Sequence, residues 1–296
     1  MKHIYGKHYA ISNTCVAFGD FDGVHLGHKA IIDALMKASK EGYTPIVVSF
    51  DYDSALLGDK KILSTEVEKE QLIGKLGPEV LVSYKIDEDN KSQDIKSFIK
   101  ETLVDEMGAK AIVAGKDYCH ISELRECAKE LGFKLVECDT VLADGKAITA
   151  ERIAAEINVS NISKANEMLG HPYILIGKVM HGKALGRTVG MPTANLGFGD
   201  NKLLPADGVY GTLSEIDGKN IEGLTNIGKR PSVDNYNYKT IETFLLDFKG
   251  DLYDKIIGLE VHAFIRGVKK FANLEEVKQQ VNKDIKSIRD YLDKII

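Results

Sequence analysis

The chain has 296 residues, 44% hydrophobic and 28% charged, which is enough apolar material for two ordinary cores or one large one and too much for a disordered polymer. Its 39 basic and 44 acidic residues give a net charge of −5 with neutral histidines. That balance argues against a dedicated nucleic-acid binder, whose phosphate contacts need a basic surplus. Cys15, Cys119, Cys127 and Cys138 all lie in the first half with no Cys-x-x-Cys pair, so they read as reduced thiols and neither a zinc site nor a redox dithiol is expected.

Residues 1–12 hold two lysines and two histidines without the apolar run of a secretory signal. No stretch approaches the roughly 20 apolar residues of a membrane span. A soluble, cytoplasmic protein with no membrane or nucleic-acid partner is expected. The totals conceal an asymmetry: residues 1–160 carry 20 basic and 27 acidic side chains, net −7, and residues 161–296 carry 19 and 17, net +2. Six glycines fall between Gly177 and Gly199, where helical spacing gives way to short runs broken by Gly and Pro. These shifts predict a first domain at 1–160, a linker at 161–172 and a second domain at 173–296.

Along the first half, Val16–Phe18, Pro45–Phe50, Glu79–Val82, Ala111–Ala114 and Phe133–Val136 are short apolar runs that read as buried strands. Between them, Ala30, Ile31, Ala34, Leu35 and Ala38, and then Phe98, Ile99, Leu103 and Met107, recur at helical spacing. Alternation of this kind predicts an α/β domain with a parallel sheet, whose ligands sit at the carboxyl ends of the strands. In the second half, Tyr173–Ile176, Gly208–Leu213, Thr240–Leu246 and Ile256–Ile265 read as strands separated by turn signals such as Asp217-Gly218 and Lys249-Gly250. They suggest a small antiparallel barrel. Asn273 then caps a terminal helix with an apolar stripe of Leu274, Val277, Val281, Ile285, Ile288 and Leu292.

Directly after the first of these strands comes Gly19-Asp-Phe-Asp-Gly-Val-His-Leu-Gly-His28, running into a helix. Glycines let a backbone approach a ligand closely, and a helix start offers unpaired N–H groups and a positive dipole end. His25 and His28 are three apart, so one helical turn presents both toward the same region, where imidazoles can stabilise charge on a polyphosphate being cleaved. Taken alone, an H-x-x-H pair reads more readily as a capped helix start with two solvent-facing histidines; the strand, glycines and helix around it reverse that preference toward the anion site.

This segment resembles the nucleotidylyltransferase H-x-G-H signature and, more narrowly, the amino-terminal module of the bacterial bifunctional riboflavin kinase/FMN adenylyltransferase family. The resemblance implies a Rossmann-like domain in which Gly19, Phe21, Gly23 and Gly27 face ATP phosphates, and His25 and His28 assist attack of the FMN phosphate on the α-phosphorus. Other motifs diverge. The family's Phe-x-Pro-His-Pro is Phe50-Asp-Tyr-Asp-Ser54 here, without the histidine or the prolines. Its Gly-x-Asp-Phe-x-Phe-Gly is Gly115-Lys-Asp-Tyr-Cys-His-Ile121, which leaves Asp117 and Tyr118 as the implied flavin contacts. Its Ser-Ser-Thr-x-Ile-Arg is Thr149-Ala-Glu-Arg-Ile-Ala154, so Ala150 and Glu151 replace two hydroxyls and Ala154 replaces an arginine. Loss of that charge-assisted donor removes about 1.5–3 kcal/mol. Thr149 remains as a phosphate contact, and either Arg152 takes the arginine role or adenylyl transfer is weakened.

The second constellation runs from Gly177 to Asn195. Gly182, Gly186 and Gly190 make a loop able to bring amides against phosphates, with Lys183 and Arg187 adding charge. Thr193 and Asn195 follow Pro192, two apart on an extended segment; a hydroxyl and an amide oxygen suit Mg²⁺ beside ATP. A glycine-rich hairpin with Thr and Asn satisfying turns is the plain alternative. The run resembles the riboflavin kinase signature ending in Pro-Thr-Ala-Asn, and Leu204–Tyr210, Asn226–Pro231 and Ile241–Phe248 follow in the family's order. That resemblance implies an antiparallel β-barrel kinase domain with a carboxyl-terminal helix, and makes Glu242 the base for the ribityl hydroxyl. Arg266 is placed either beside the flavin or against a carboxylate. The implied small molecules are ATP with Mg²⁺, and riboflavin, FMN and FAD as substrate or product; a homo-oligomer is left open.

Overall fold

The computed structural model describes every residue except 7, 8, 10, 182–190, 230–238, 295 and 296. The chain divides into two compact units, Met1–Ala150 and Glu151–Ile296. In the first, strands β1 (Lys2–Tyr5), β2 (Thr14–Gly19), β3 (Thr44–Tyr52), β4 (Val80–Ile86), β5 (Ala109–Gly115) and β6 (Lys134–Cys138) form one sheet in the order β1-β4-β3-β2-β5-β6. Every pairing is parallel. Helices α1 (Leu26–Ala38), α2 (Ser54–Leu57), α3 (Glu66–Gly74), α4 (Ile95–Ser97) and α5 (Ile121–Leu131) lie between the strands in sequence. A hairpin of β7 (Leu142–Ala143) and β8 (Lys146–Ala147) follows.

The parallel sheet follows from the strand sequences. Cys15, Val16 and Ala17 of β2 and Ile46, Val47 and Val48 of β3 have no exposure at all, so successive residues are covered on both faces, as in parallel sheets flanked by helices. From β2 the chain steps one way through β3 and β4, then returns to the other side of β2 with β5 and β6. The order therefore reverses between β2 and β5, and the crevice outside their carboxyl ends is where such sheets bind ligands. All five strands read from the sequence are present. β1, a short edge strand that is at most partly buried, lacked the buried apolar run that revealed the others. The 98–107 segment continues α4 as a π-helix over Phe98–Glu106 that buries Phe98, Ile99, Thr102 and Leu103.

In the second unit, strands β9 (Tyr173–Met180), β10 (Thr193–Gly197), β11 (Gly208–Ile216), β12 (Lys219–Lys229), β13 (Lys239–Leu245) and β14 (Ile256–Arg266) close into an antiparallel barrel in the order β10-β13-β12-β11-β14-β9. The Asp217-Gly218 turn joins β11 to β12 with both residues left-handed, φ 50° and 73°, as a two-residue hairpin loop requires. Thr212, Thr225 and Thr243 are fully buried and their hydroxyls form a chain at 2.9 Å per step. α6 (Ala150–Asn158) and α7 (Ile162–Leu169) precede the barrel. Residues 161–172, expected as a linker, instead carry α7, which buries Ile162, Ala165, Met168 and Leu169. Asn166 joins α7 to the barrel by donating to Val261 O at 2.9 Å and accepting from Tyr173 N at 2.8 Å.

The terminal helix α8 (Leu274–Leu292) is capped by Asn273, whose Oδ1 accepts from Glu276 N at 3.0 Å. Its Ile288 and Leu292 pack into a cluster with Val209, Leu213, Leu224 and Leu246. Leu274, at the start of the expected stripe, is 51% exposed; the buried hydrophobic residues of α8 lie in its last two turns.

Candidate active sites

In the first unit, the backbone after β2 turns through three left-handed residues, Phe21 (φ 47°), Gly23 (φ 77°) and Val24 (φ 43°). A β-branched residue in that region is strained and persists only where its surroundings hold it. One clamp is Asp22, whose Oδ1 accepts from Ser64 N at 2.8 Å. His25 then caps α1: its Nδ1 accepts from His28 N at 3.4 Å. The two imidazoles are thus brought together by stacking of a cap residue on a first-turn residue, with ring centroids 3.7 Å apart and planes 17° from parallel. Gly27 makes room for this arrangement, because a Cβ there would stand 3.0 Å from His25 Cε1.

His28 Nδ1 is buried and has no hydrogen-bond partner among the described residues. Burial, then the neighbouring His25 and Lys69, hold the His28 pKa well below the usual histidine range. The imidazole is therefore neutral at neutral pH and its orphaned nitrogen faces a polar deficit that an arriving ligand could fill.

These residues line a cleft of about 500 Å³ at the carboxyl ends of the strands. Gly19, Asp20 and Phe21 after β2, Phe50 and Tyr52 of β3, Asp117, Tyr118 and His120 after β5, and Cys138 and Asp139 at β6 all contribute. Asp117 folds back over Gly115, where a Cβ would lie 2.7 Å from its Oδ1. Tyr118 meets Phe18 edge-on at 5.5 Å, and burial raises the pKa of its phenol. Tyr52 OH donates to Asp20 Oδ1 at 2.9 Å; burial and then that carboxylate push the Tyr52 pKa up. A second cavity of about 570 Å³ shares Phe50, Tyr52, Tyr118 and His120 with the first and adds Tyr84 and Phe98. Aromatic side chains wall the space where the two meet.

Thr149 follows Ile148, a residue of the cleft wall, and is half-buried. Arg152 and the exposed Glu151 belong to α6 and to the second unit. Asp20, Tyr52, His120 and Asp139 were not singled out as site residues by the sequence. The strand-end rule alone could have found them, since each follows or ends a β-strand of the switch region.

In the second unit, β10 and β13 pair so that Asn195 lies directly across from Glu242 and Thr193 from Phe244. On its other side Glu242 is opposed by Asn226 of β12. Opposed residues of antiparallel strands share a face with Cβ atoms about 4.5–5.5 Å apart, so Thr193, Asn195, Asn226 and Glu242 occupy one patch. Thr193, Asn195 and Glu242 are half-buried and Asn226 is exposed. A recess of about 80 Å³ beside Thr193 is walled by Pro192, Phe248, Asp251 and Tyr253, and His181 stacks on Tyr253 at 3.9 Å.

Of the two placements open for Arg266, the carboxylate is the one observed: Asp284 of α8, 2% exposed, accepts from Arg266 Nε and lies 2.9 Å from its second nitrogen. Gly182, Lys183, Gly186, Arg187 and Gly190 lie outside the described residues.

A riboflavin kinase family model matches residues 169–292 and a FAD synthetase family model matches residues 8–152. A bifunctional riboflavin kinase/FMN adenylyltransferase of Bacillus subtilis (strain 168) is 32% identical over 95% of both chains. Its Escherichia coli (strain K12) counterpart is 30% identical over 98% of both. A solved structure described as a macrolide-efflux protein from Streptococcus pneumoniae superposes with a TM-score of 0.85 at 28% identity, covering 98% of this chain and 99% of the other. Among the described residues, no helix is long and apolar enough to cross a membrane. With identity sustained along essentially the whole of these relatives, the chain belongs to the bifunctional riboflavin kinase/FMN adenylyltransferase family.

Proposed function

We propose that this chain makes flavin nucleotides in two steps, one per unit. The barrel phosphorylates riboflavin with ATP to give FMN, and the α/β unit transfers the adenylyl group of ATP to FMN, giving FAD and pyrophosphate. The observation that carries the first step is the strand register that puts Glu242 directly across from Asn195 and on one face with Thr193. In that reading Glu242 accepts the proton of the ribityl 5′-hydroxyl as its oxygen attacks the γ-phosphorus and ADP leaves.

The Thr193 hydroxyl and the Asn195 amide oxygen are hard oxygen donors of the kind Mg²⁺ takes beside phosphates. They would hold the ion, which when bound neutralises charge on the ATP phosphates. Lys183 and Arg187, with Gly182, Gly186 and Gly190, are the loop assigned to those phosphates.

For the second step, the α1 terminus with Gly19, Phe21, Gly23 and Gly27 binds the ATP phosphates, while His25 and His28 stabilise charge as the FMN phosphate attacks the α-phosphorus and pyrophosphate departs. His28 is poised for this, because a polyphosphate beside its buried nitrogen favours the protonated form that the resting protein disfavours. Asp117 lines the first cavity and Tyr118 both; the shared aromatic wall suits the flat isoalloxazine ring. Thr149 is the remaining hydroxyl of the closing phosphate segment, and Arg152 the cation that follows it three residues on.

Ala150, Glu151 and Ala154, which stand where relatives carry two hydroxyls and an arginine, favour a second reading in which the barrel is active and the α/β unit only binds nucleotide. Paired substitutions separate the sites. His28→Ala is expected to abolish FAD formation from FMN and leave riboflavin phosphorylation unchanged, whereas Glu242→Ala abolishes riboflavin phosphorylation. An undiminished kinase rate in Glu242→Ala would remove the base assignment.

A further inference from the structure

Lys69 of α3 is 6% exposed, and its ammonium has three acceptors: Ser49 Oγ at 3.0 Å, Phe50 O at 3.1 Å and Glu66 Oε1 at 2.9 Å. A buried ammonium is costly unless paired and fully bonded, so three well-placed acceptors describe a fixed group rather than a mobile ligand contact. We propose that Lys69 is a positioning residue for adenylyl transfer, bolting α3 to the ends of β2 and β3 so that the His25–His28 pair is held in register with the nucleotide phosphates. This rests on the adenylyltransferase reading of the first unit.

The bolt has two ends. At its start, α3 is locked by a capping box in which Thr65 and Glu68 bond reciprocally, Thr65 N donating to Glu68 Oε2 at 2.8 Å. The preceding Ser64 N donates to Asp22, which sits beside the strained Val24 turn. One turn on, Lys69 grips Ser49 and the Phe50 carbonyl, where the side chains of Phe50 and Tyr52 form part of the cleft wall. Ser49 Oγ in turn lies 3.5 Å from Asp20 O, and Asp20 holds Tyr52. The end of β3, which lacks the prolines and histidine of the family's second motif, is thus held by a neighbouring helix. On the far side, Glu66 Oε2 accepts from Ser83 Oγ of β4.

Electrostatics give the proposal a signature that mere structural support would not. Lys69 is among the cations that disfavour protonation of His28, behind burial and His25. The titratable groups lining the cleft with His28 are Asp20, His25, Tyr52, Asp117, Tyr118, Cys119, His120, Cys138 and Asp139; Asp22 lies in the turn before α1, and Glu66 is the counter-charge of Lys69 itself. Lys69→Met and Glu66→Gln break the same ion pair but leave opposite charges behind. The His28 ring resonance, assigned by comparison with His28→Gln, is therefore expected to titrate at higher pH than wild type in Lys69→Met and at lower pH in Glu66→Gln. Lys69→Met should lower FAD formation about ten- to a hundredfold, the scale of a small misplacement of reacting groups, with riboflavin phosphorylation unchanged. Lys69→Met/Glu66→Gln, with both charges gone, should regain thermal stability but not FAD formation, which separates lost positioning from lost folding. Midpoints that move together or stay fixed, or full FAD formation in Lys69→Met, would overturn the proposal. A wild-type protein that makes no FAD would instead sink the adenylyltransferase reading, and the titration arm would still decide the role of Lys69.

Discussion

Gly27 and His28 show how single residues set the chemistry of the first site. Because a Cβ at Gly27 would stand 3.0 Å from the His25 ring, Gly27→Ala is expected to shift the imidazole by a few tenths of an ångström against His28. FAD formation in Gly27→Ala is expected to fall about ten- to a hundredfold with the kinase rate untouched, measured by chromatography of the flavins. His28 also makes the first unit acid-sensitive. Its proton is bound less readily in the folded chain than by an unfolded histidine near pH 6.5, so the unfolded state gains the proton and stability is lost as pH falls through and below about 6.5. Unfolding followed by near-ultraviolet absorbance or circular dichroism across that range should show a slope that His28→Gln flattens. A slope equal in both proteins would contradict the buried, neutral imidazole.

Elements differ in how plainly the sequence announces them. Five strands of the parallel sheet were legible as short apolar runs, unbroken in β2 and β3 because burial covers both of their faces. β1, β10 and β12 were not: β1 lies at a sheet edge, β10 spans only Thr193–Gly197, and β12 is rich in Lys, Asn and Gly that pattern rules assign to loops. Nor did a two-turn helix such as α7 show enough period to be separated from a linker. α8 was legible by its stripe, but its seat was not. Ile288 rests on Gly211 of β11, where any Cβ would overlap the isoleucine side chain. Gly211→Ala is therefore expected to destabilise the barrel by about 1–3 kcal/mol and lower its melting temperature, while Gly211→Ala combined with Ile288→Val recovers part of the loss. A neutral Gly211→Ala would show that α8 packs elsewhere.

At the scale of the whole molecule, the two chemistries were readable to different degrees. His25 and His28, like Thr193 and Asn195, stand in local motifs whose spacing singled them out, whereas Glu242 was implied by the family resemblance. Asp20 and Tyr52 stand at strand ends, but the partners of Lys69, Asp20 and Tyr52 lie 20 to 32 positions away, and no local pattern encodes those pairings. The same separation explains Arg266, whose partner Asp284 is fixed only once α8 docks on the barrel. The net charge of −5 likewise says little, because in the proposed function the phosphates are met by local groups, a helix terminus, histidines and a basic glycine loop, and not by bulk charge. The central claim is that both units catalyse, and one measurement reaches it directly: incubate the purified chain with MgATP and riboflavin and separate the flavins over time. FMN should appear first and FAD follow from it, with pyrophosphate released in step with FAD. Accumulation of FMN with no FAD, even when FMN is supplied at the outset, would contradict the claim.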